Sequence, residues 1–211
     1  TTVADIKAGT YPTSDYWEIT DGTIPDNAFY SNGSSTLSVV DRQISIYCPN
    51  ATSIGDNAFR MCSDLATIDI PEATTIGDYA FENCLNITAV DLPEATSIGD
   101  NAFYGCSDLA TVDLPKATKI GENAFLECSS LTAVSIPKVT YVDYSAFRDC
   151  TGLKTMTIAT ESQVTYWGTY VFSGVTTTNI DLTVGSLNSG VDVDNKTWKD
   201  YTFNSITVDL I

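Results

Sequence analysis

Apolar positions return along this chain at a fixed spacing. Ile54, Ala58, Phe59 and Cys62 reappear as Ile76, Ala80, Phe81 and Cys84, then as Ile98, Ala102, Phe103 and Cys106. Two further copies follow, Ile120, Ala124, Phe125 and Cys128, then Val142, Ala146, Phe147 and Cys150, always 22 residues on. That period falls within the roughly 20–29 residues of leucine-rich repeats, in which each unit buries its apolar face only against its neighbours. Between these clusters Leu65/Ile68/Ile70, Ile87/Val90/Leu92, Leu109/Val112/Leu114, Leu131/Val134/Ile136 and Leu153/Met156/Ile158 keep an L-x-x-L-x-L spacing. The alternation predicts a short strand that sends Val112 and Leu114 inward and Asp113 outward, closed by Pro115, which lacks a ladder donor. Ala117-Thr118-Lys119-Ile120-Gly121 turns the chain, the glycine supplying a permissive backbone. Residues 122–128 then read as one or two helical turns, with Ala124, Phe125 and Cys128 on one face. The expected fold is an α/β repeat solenoid, a leucine-rich-repeat right-handed coil of short parallel strands with short helical turns and capped ends.

The rhythm loosens at both ends. Ile24-Pro25-Asp26-Asn27-Ala28-Phe29, Trp167-Gly168-Thr169-Tyr170-Val171-Phe172 and Trp198-Lys199-Asp200-Tyr201-Thr202-Phe203 keep the shape of the motif, at longer intervals. End coils must shield a neighbour and also face water, so atypical terminal repeats are expected. The chain therefore reads as a single solenoid domain over 1–211: an N-terminal cap and divergent first coil (1–53), regular repeats (54–158), and divergent C-terminal coils with a cap (159–211).

The pattern I-G-x-x-A-F-x-x-C-x-x-L-x-x-[IV]-x-[IL]-P-x-[AV]-T resembles the BspA-like leucine-rich repeats of exported bacterial proteins of the Bacteroides type, cleanly over residues 54–158 and loosely elsewhere. Residues 198–206 resemble the closing segment of such proteins. The resemblance implies a secreted or cell-surface bacterial protein with a protein-binding or adhesion role and no enzymatic activity. The unit departs from other leucine-rich repeats in holding Ala73, Ala95, Ala117 and Val139 where an asparagine ends the strand loop. Something else must hold that loop.

Charge narrows the partners. A net charge of −17, from 27 acidic and 10 basic residues with no histidine, repels phosphate backbones, so nucleic acid is not an expected partner. Lacking histidine, the chain has no histidine general base, histidine zinc ligand or histidine pH switch. Identical copies of an acidic residue share nearly one environment, whereas a catalytic carboxylate pair needs two. Catalytic residues, cofactor and metal are all expected to be none. No stretch approaches the roughly 18 apolar residues of a membrane span, and no secretory signal stands at the start.

Cys62, Cys84, Cys106, Cys128 and Cys150 form a column, with Cys48 at a strand position. Stacked coils bring them within disulfide reach, yet the odd column reads as small buried apolar thiols. Asp56, Asp78, Asp100 and Glu122 are explained as helix-start residues. Aromatic residues gather towards the C-terminal half, where Trp167 is expected to be buried and Tyr166 and Tyr170 exposed. The sequons at Asn32, Asn50, Asn86 and Asn195 carry no information in a bacterial protein.

One outward column remains: Tyr47, Asp69, Asp91, Asp113, Ser135, Thr157 and Asp181. Adjacent aspartates about 5 Å apart repel one another. The stripe is a solvated face, a calcium-holding row, or an acidic surface for a cationic partner, with Thr67, Asp69, Asp91, Thr111, Asp113 and Asp181 as candidate partner-binding residues. A protein or glycan at the cell surface is the expected partner and a monomer the expected state; a spacer domain without a ligand is the alternative.

Overall fold

The computed structural model describes residues 1–8, 16–31, 34–35, 43–158, 164–184, 197–198 and 201–208. Each 22-residue unit is one coil, and the coils stack through three hydrogen-bonded faces around one continuous apolar core. The front face carries the strands seen in the alternation. Tyr16–Glu18, Ile44–Tyr47, Leu65–Asp69 and Ala89–Asp91 form one parallel sheet. Thr111–Asp113, Ala133–Ile136, Thr155–Ile158, Asp181–Val184 and Ser205–Val208 form a second. A side face of two-residue strands runs unbroken from Ser53–Ile54 through Thr75–Ile76, Ser97–Ile98, Lys119–Ile120 and Tyr141–Val142 to Tyr166–Trp167.

The third face corrects an expectation: residues 122–128 and their counterparts are turns, not helices. Each unit places two residues in the left-handed region around its Ala-Phe pair, such as Asn57 and Met61 (φ 54° and 57°) or Asn123 and Glu127 (φ 53° and 62°). Right-handed helices do not accommodate such residues, and the amides instead face the next coil. Phe59 donates to Ala80, Phe81 to Ala102, Phe103 to Ala124 and Phe125 to Ala146, at 2.7–2.8 Å. Behind this ladder the rings from Phe59 to Phe147 stack with centroids 5.0–5.3 Å apart and planes within 7°. At the ends the stack turns, to 32° at Phe29 and 85° between Phe172 and Phe203, where the longer repeats shift the register.

The acidic turn column is corrected in the same way. Without helices to cap, each aspartate Oδ1 accepts the backbone N–H of its counterpart one coil on: Asp26 from Asp56, Asp56 from Asp78, Asp78 from Asp100 and Asp100 from Glu122, at 2.8–2.9 Å. This bracket explains the preceding glycine, since a Cβ on Gly77 would lie 2.6 Å from the Asp56 carboxylate and 2.7 Å from its backbone. Close approach, not a left-handed backbone, requires the glycine there.

The loop after each strand, which lacks asparagine, is held by threonine. Thr74, Thr96, Thr118, Thr140 and Thr165 donate Oγ1 to the carbonyls of Thr52, Thr74, Thr96, Thr118 and Thr140, at 2.9–3.3 Å. The cysteines are free and buried. Cys84, Cys106, Cys128 and Cys150 each donate Sγ–H to the phenylalanine carbonyl of the preceding coil at 3.0–3.1 Å. Burial pushes the Cys150 thiol up to about 12, which keeps it protonated as a donor and unreactive. At the N-terminus, helix Val3–Lys7 closes a capping box between Thr2 and Asp5 and buries Val3 and Ile6.

Candidate functional site

The two front sheets do not join. Among the described residues no ladder connects Ala89–Asp91 to Thr111–Asp113, although the side face continues past the same junction. Across neighbouring junctions the amide after each strand bonds to the next coil: Cys48 to the Asp69 carbonyl at 2.9 Å, Ile70 to Asp91 at 3.3 Å and Leu114 to Ser135 at 2.9 Å. Leu92, their counterpart, makes no such bond with Asp113. On the entering side, the amide of Ala110 reaches the Thr88 carbonyl at 3.3 Å, whereas Thr88 and Thr132 reach theirs at 2.9 and 2.8 Å.

Two sequence features meet at this breach. Its outward column stacks Asp69 on Asp91 in register, with Asp113 on the far side, so like charges face each other where the ladder stops. The residue entering each strand also differs: Thr88 clamps its Oγ1 onto the Ala66 carbonyl at 3.3 Å and Thr132 onto Ala110 at 3.1 Å. Ala110 has no hydroxyl with which to clamp coil onto coil.

The breach opens a groove of about 310 Å³ lined by Thr67, Ile68, Asp69, Ala89, Val90, Asp91, Pro93, Thr111, Asp113 and Pro115. Its floor is the half-buried Val90, whereas the inward residues Ile68, Val112 and Val134 of adjacent strands are 2, 7 and 2 % exposed. The Asp69 carboxyl sits above its ordinary value, raised first by desolvation and then by the charge of Asp91. Lys116 crosses the junction beyond the groove to pair with Glu94 at 2.5 Å.

Five of the six candidate residues, Thr67, Asp69, Asp91, Thr111 and Asp113, thus line one groove. Asp181 does not. Its strand is in register as Thr155↔Asp181 and Thr157↔Thr183, so Thr183 occupies the column and Asp181 the row beside it. The spacing Ile180/Leu182/Val184 is one residue shorter than Leu153/Met156/Ile158, and the outward residue moves accordingly. There Asp181 accepts from Ser205 Oγ at 2.5 Å and Asn204 Nδ2 at 2.7 Å, bonds that lower its pKa. Among the described residues no three carboxylates or thiols come together as a metal-binding group, which leaves the calcium reading of the stripe without a cage.

Tyr166 and Tyr170 are exposed as expected, at 44 and 58 %, and stack on Tyr141 at 4.5 Å and edge-on to Tyr144 at 5.4 Å. Trp167 is half-buried against the core, short of the full burial expected. A cluster absent from the sequence reading joins the first coils: Arg60 lies between the rings of Tyr30 and Tyr79, 5.1 and 5.3 Å from their centroids, and pairs with the buried Glu82 at 2.5 Å. Arg60 stands at a position the repeat leaves variable, filled by Glu82, Tyr104, Leu126 and Arg148 in later units, so the periodicity gives no signal for the cluster.

Comparison with known proteins fits this architecture. The crystal structure of a leucine-rich cell surface protein from Faecalibacterium prausnitzii is 26% identical, with a TM-score of 0.63 over 86% of this chain and 50% of that one. The leucine-rich repeat protein of T. pallidum is 23% identical, with a TM-score of 0.60 over 84% of this chain and 77% of that one. The pneumococcal vaccine antigen PcpA, 19% identical, aligns with a TM-score of 0.60 over 81% of this chain and 42% of its own length. This chain therefore spans half or less of two of these relatives. No curated protein matches it. Among the described residues no helix is long and apolar enough to cross a membrane. A family model described as the BspA type leucine rich repeat region (6 copies) matches residues 22–154 and 118–207, and the chain belongs to that family.

Proposed function

We propose that this chain is a non-enzymatic, monomeric binding module of a secreted or cell-surface bacterial protein, and that its front strand face docks a protein or glycan at the cell surface. The observation that carries this reading is the groove itself: Thr67, Asp69, Asp91, Thr111 and Asp113 line an opening in an otherwise laddered face. The cell-surface description of the Faecalibacterium relative supports the location. A screen against extracellular matrix proteins, mucins and glycans at low and physiological salt, with and without calcium, tests it. A partner should bind, and the combined reversal Asp69→Lys, Asp91→Lys and Asp113→Lys should abolish that binding. If every bound partner keeps its affinity for the reversed protein, the front face is not the docking surface.

A spacer without a ligand is the second reading, favoured by the regularity of the side-face ladder across all six of its strands. Removing residues 76–97, one full unit, should leave a spacer's activity intact and destroy a docking face whose two halves must stay in register.

A further inference from the structure

The groove differs from a solvated acidic stripe in having an apolar floor. Val90 is open to solvent at the bottom, Ala89, Pro93 and Pro115 form walls, and Asp69, Asp91 and Asp113 stand at the rim. Such a site offers different chemistry at two depths. An aliphatic stem gains by covering Val90, and a cation at its end gains from the rim carboxylates while remaining hydrated. Short polar groups reach only the rim, and apolar side chains leave the carboxylates unanswered. The opening is one coil junction wide, and both the side-face and turn-face ladders hold the coils together behind it. It therefore admits a side chain and excludes an inserted strand.

We infer that the breach between Ala89–Asp91 and Thr111–Asp113 is a pocket for a lysine or arginine side chain carried by an extended basic segment of a protein partner, the stem lying on Val90 and the cation among Asp69, Asp91 and Asp113. This rests on the front face being the docking surface and names the part of it that selects the partner. The net charge of −17 draws basic segments to the whole molecule. The groove is what distinguishes a seated side chain from a diffuse cloud. Its openness depends on Ala110, which lies outside the lining and is exposed. Ala110→Thr supplies the missing clamp with every carboxylate in place.

The test uses fluorescence anisotropy at physiological salt with a labelled peptide of alternating lysine and threonine. Two companion peptides replace lysine by norleucine, a stem without charge, or by diaminopropionic acid, a charge without stem. The lysine peptide should bind the unaltered protein at least about tenfold more tightly than either companion. Ala110→Thr and, separately, Asp69→Asn/Asp91→Asn/Asp113→Asn should each remove that preference. Val90→Met, which fills the floor with the residue found at Met156, should do the same and serves as the second groove-closing variant. If the asparagine triple variant weakens binding while Ala110→Thr and Val90→Met leave it unchanged, the groove is not the site and only the acidic front face remains. Equal binding of the lysine and diaminopropionic acid peptides, or no binding of the lysine peptide, overturns the pocket. Neither result touches the screen for native partners, which tests the front face by charge reversal.

Discussion

Two junctions one coil apart share the same motif and end differently. Where Leu65–Asp69 meets Ala89–Asp91, two aspartates stack and the ladder survives, stretched to 3.3 Å between Ile70 and Asp91. Where Ala89–Asp91 meets Thr111–Asp113, two aspartates again face each other and the ladder is gone. The first junction has the Thr88 clamp and the second has Ala110. The junctions beyond complete the comparison. Asp113 next to Ser135, with the Thr132 clamp, keeps a 2.9 Å bond, and Ser135 beside Thr157 pairs in full register with Lys154 in the clamp position. Carboxylate stacking alone stretches the ladder, loss of the clamp alone leaves it whole, and both together open it. A repeat protein can thus place a single site in a periodic face by letting two weak defects coincide.

The largest effect to seek asks how deep the difference runs. Phe103 and Phe125, whose rings stack at 5.2 Å with planes 2° apart, both lie beneath the breach with Val90, Leu92, Val112 and Leu114, whereas Phe59, stacked on Phe81 at 5.2 Å, lies behind laddered strands. If the breach is confined to the front face, Phe59→Ala and Phe103→Ala each cost about 3–5 kcal/mol in chemical denaturation. A far smaller loss at Phe103 would mean that the opening reaches through the core.

Removing the clamps should spread the breach. Thr88→Ala turns the first junction into a copy of the second and should cost about 1 kcal/mol, with the Ile70 amide losing its protection. Thr132→Ala should cost a similar amount and yet leave the Leu114 amide protected, because Ser135 brings no second charge. Equal loss of protection in the two variants would remove the carboxylates from the explanation. In the opposite direction, Ala110→Thr should gain about 0.5–1 kcal/mol and bring the Leu92 amide under protection.

Much of this molecule is legible before folding. Strand positions, the phenylalanine stack, the buried thiols and the coil boundaries follow from one 22-residue rhythm, because stacking forces equivalent residues into equivalent places. The helical spacing of Ala124, Phe125 and Cys128 predicts helices where the chain forms turns, because left-handed residues such as Asn123 and Glu127 override that spacing. Repeat spacing puts Asp181 in the outward column that Thr183 occupies, since the alignment breaks where the interval between phenylalanines changes. The breach depends on departures from the repeat, and a pattern that averages Thr88, Ala110 and Thr132 together hides it.

The smallest effect is that of pH. The Asp69 carboxyl lies above its ordinary 3.8 in the fold and that of Asp181 below it. Ionised Asp69 is therefore penalised in the folded state, and acidification through its raised pKa relieves the penalty. Asp181 stabilises the fold above the ordinary value, and that contribution fades as pH falls through its lowered pKa. Between neutral pH and about pH 4, protection at Ile70, where Asp69 faces Asp91, should rise while that around Ser205 stays level. A fall at the aspartate stack over that range would contradict the stated direction for Asp69.

Residue-resolved amide exchange on the unaltered protein, comparing Ile70, Leu92 and Leu114, tests the central claim most directly. Leu92 should exchange at least about tenfold faster than Leu114, with Ile70 between them, following lost, intact and stretched bonds. Uniform protection of the three amides would mean that the front face is continuous and that no groove opens at this junction.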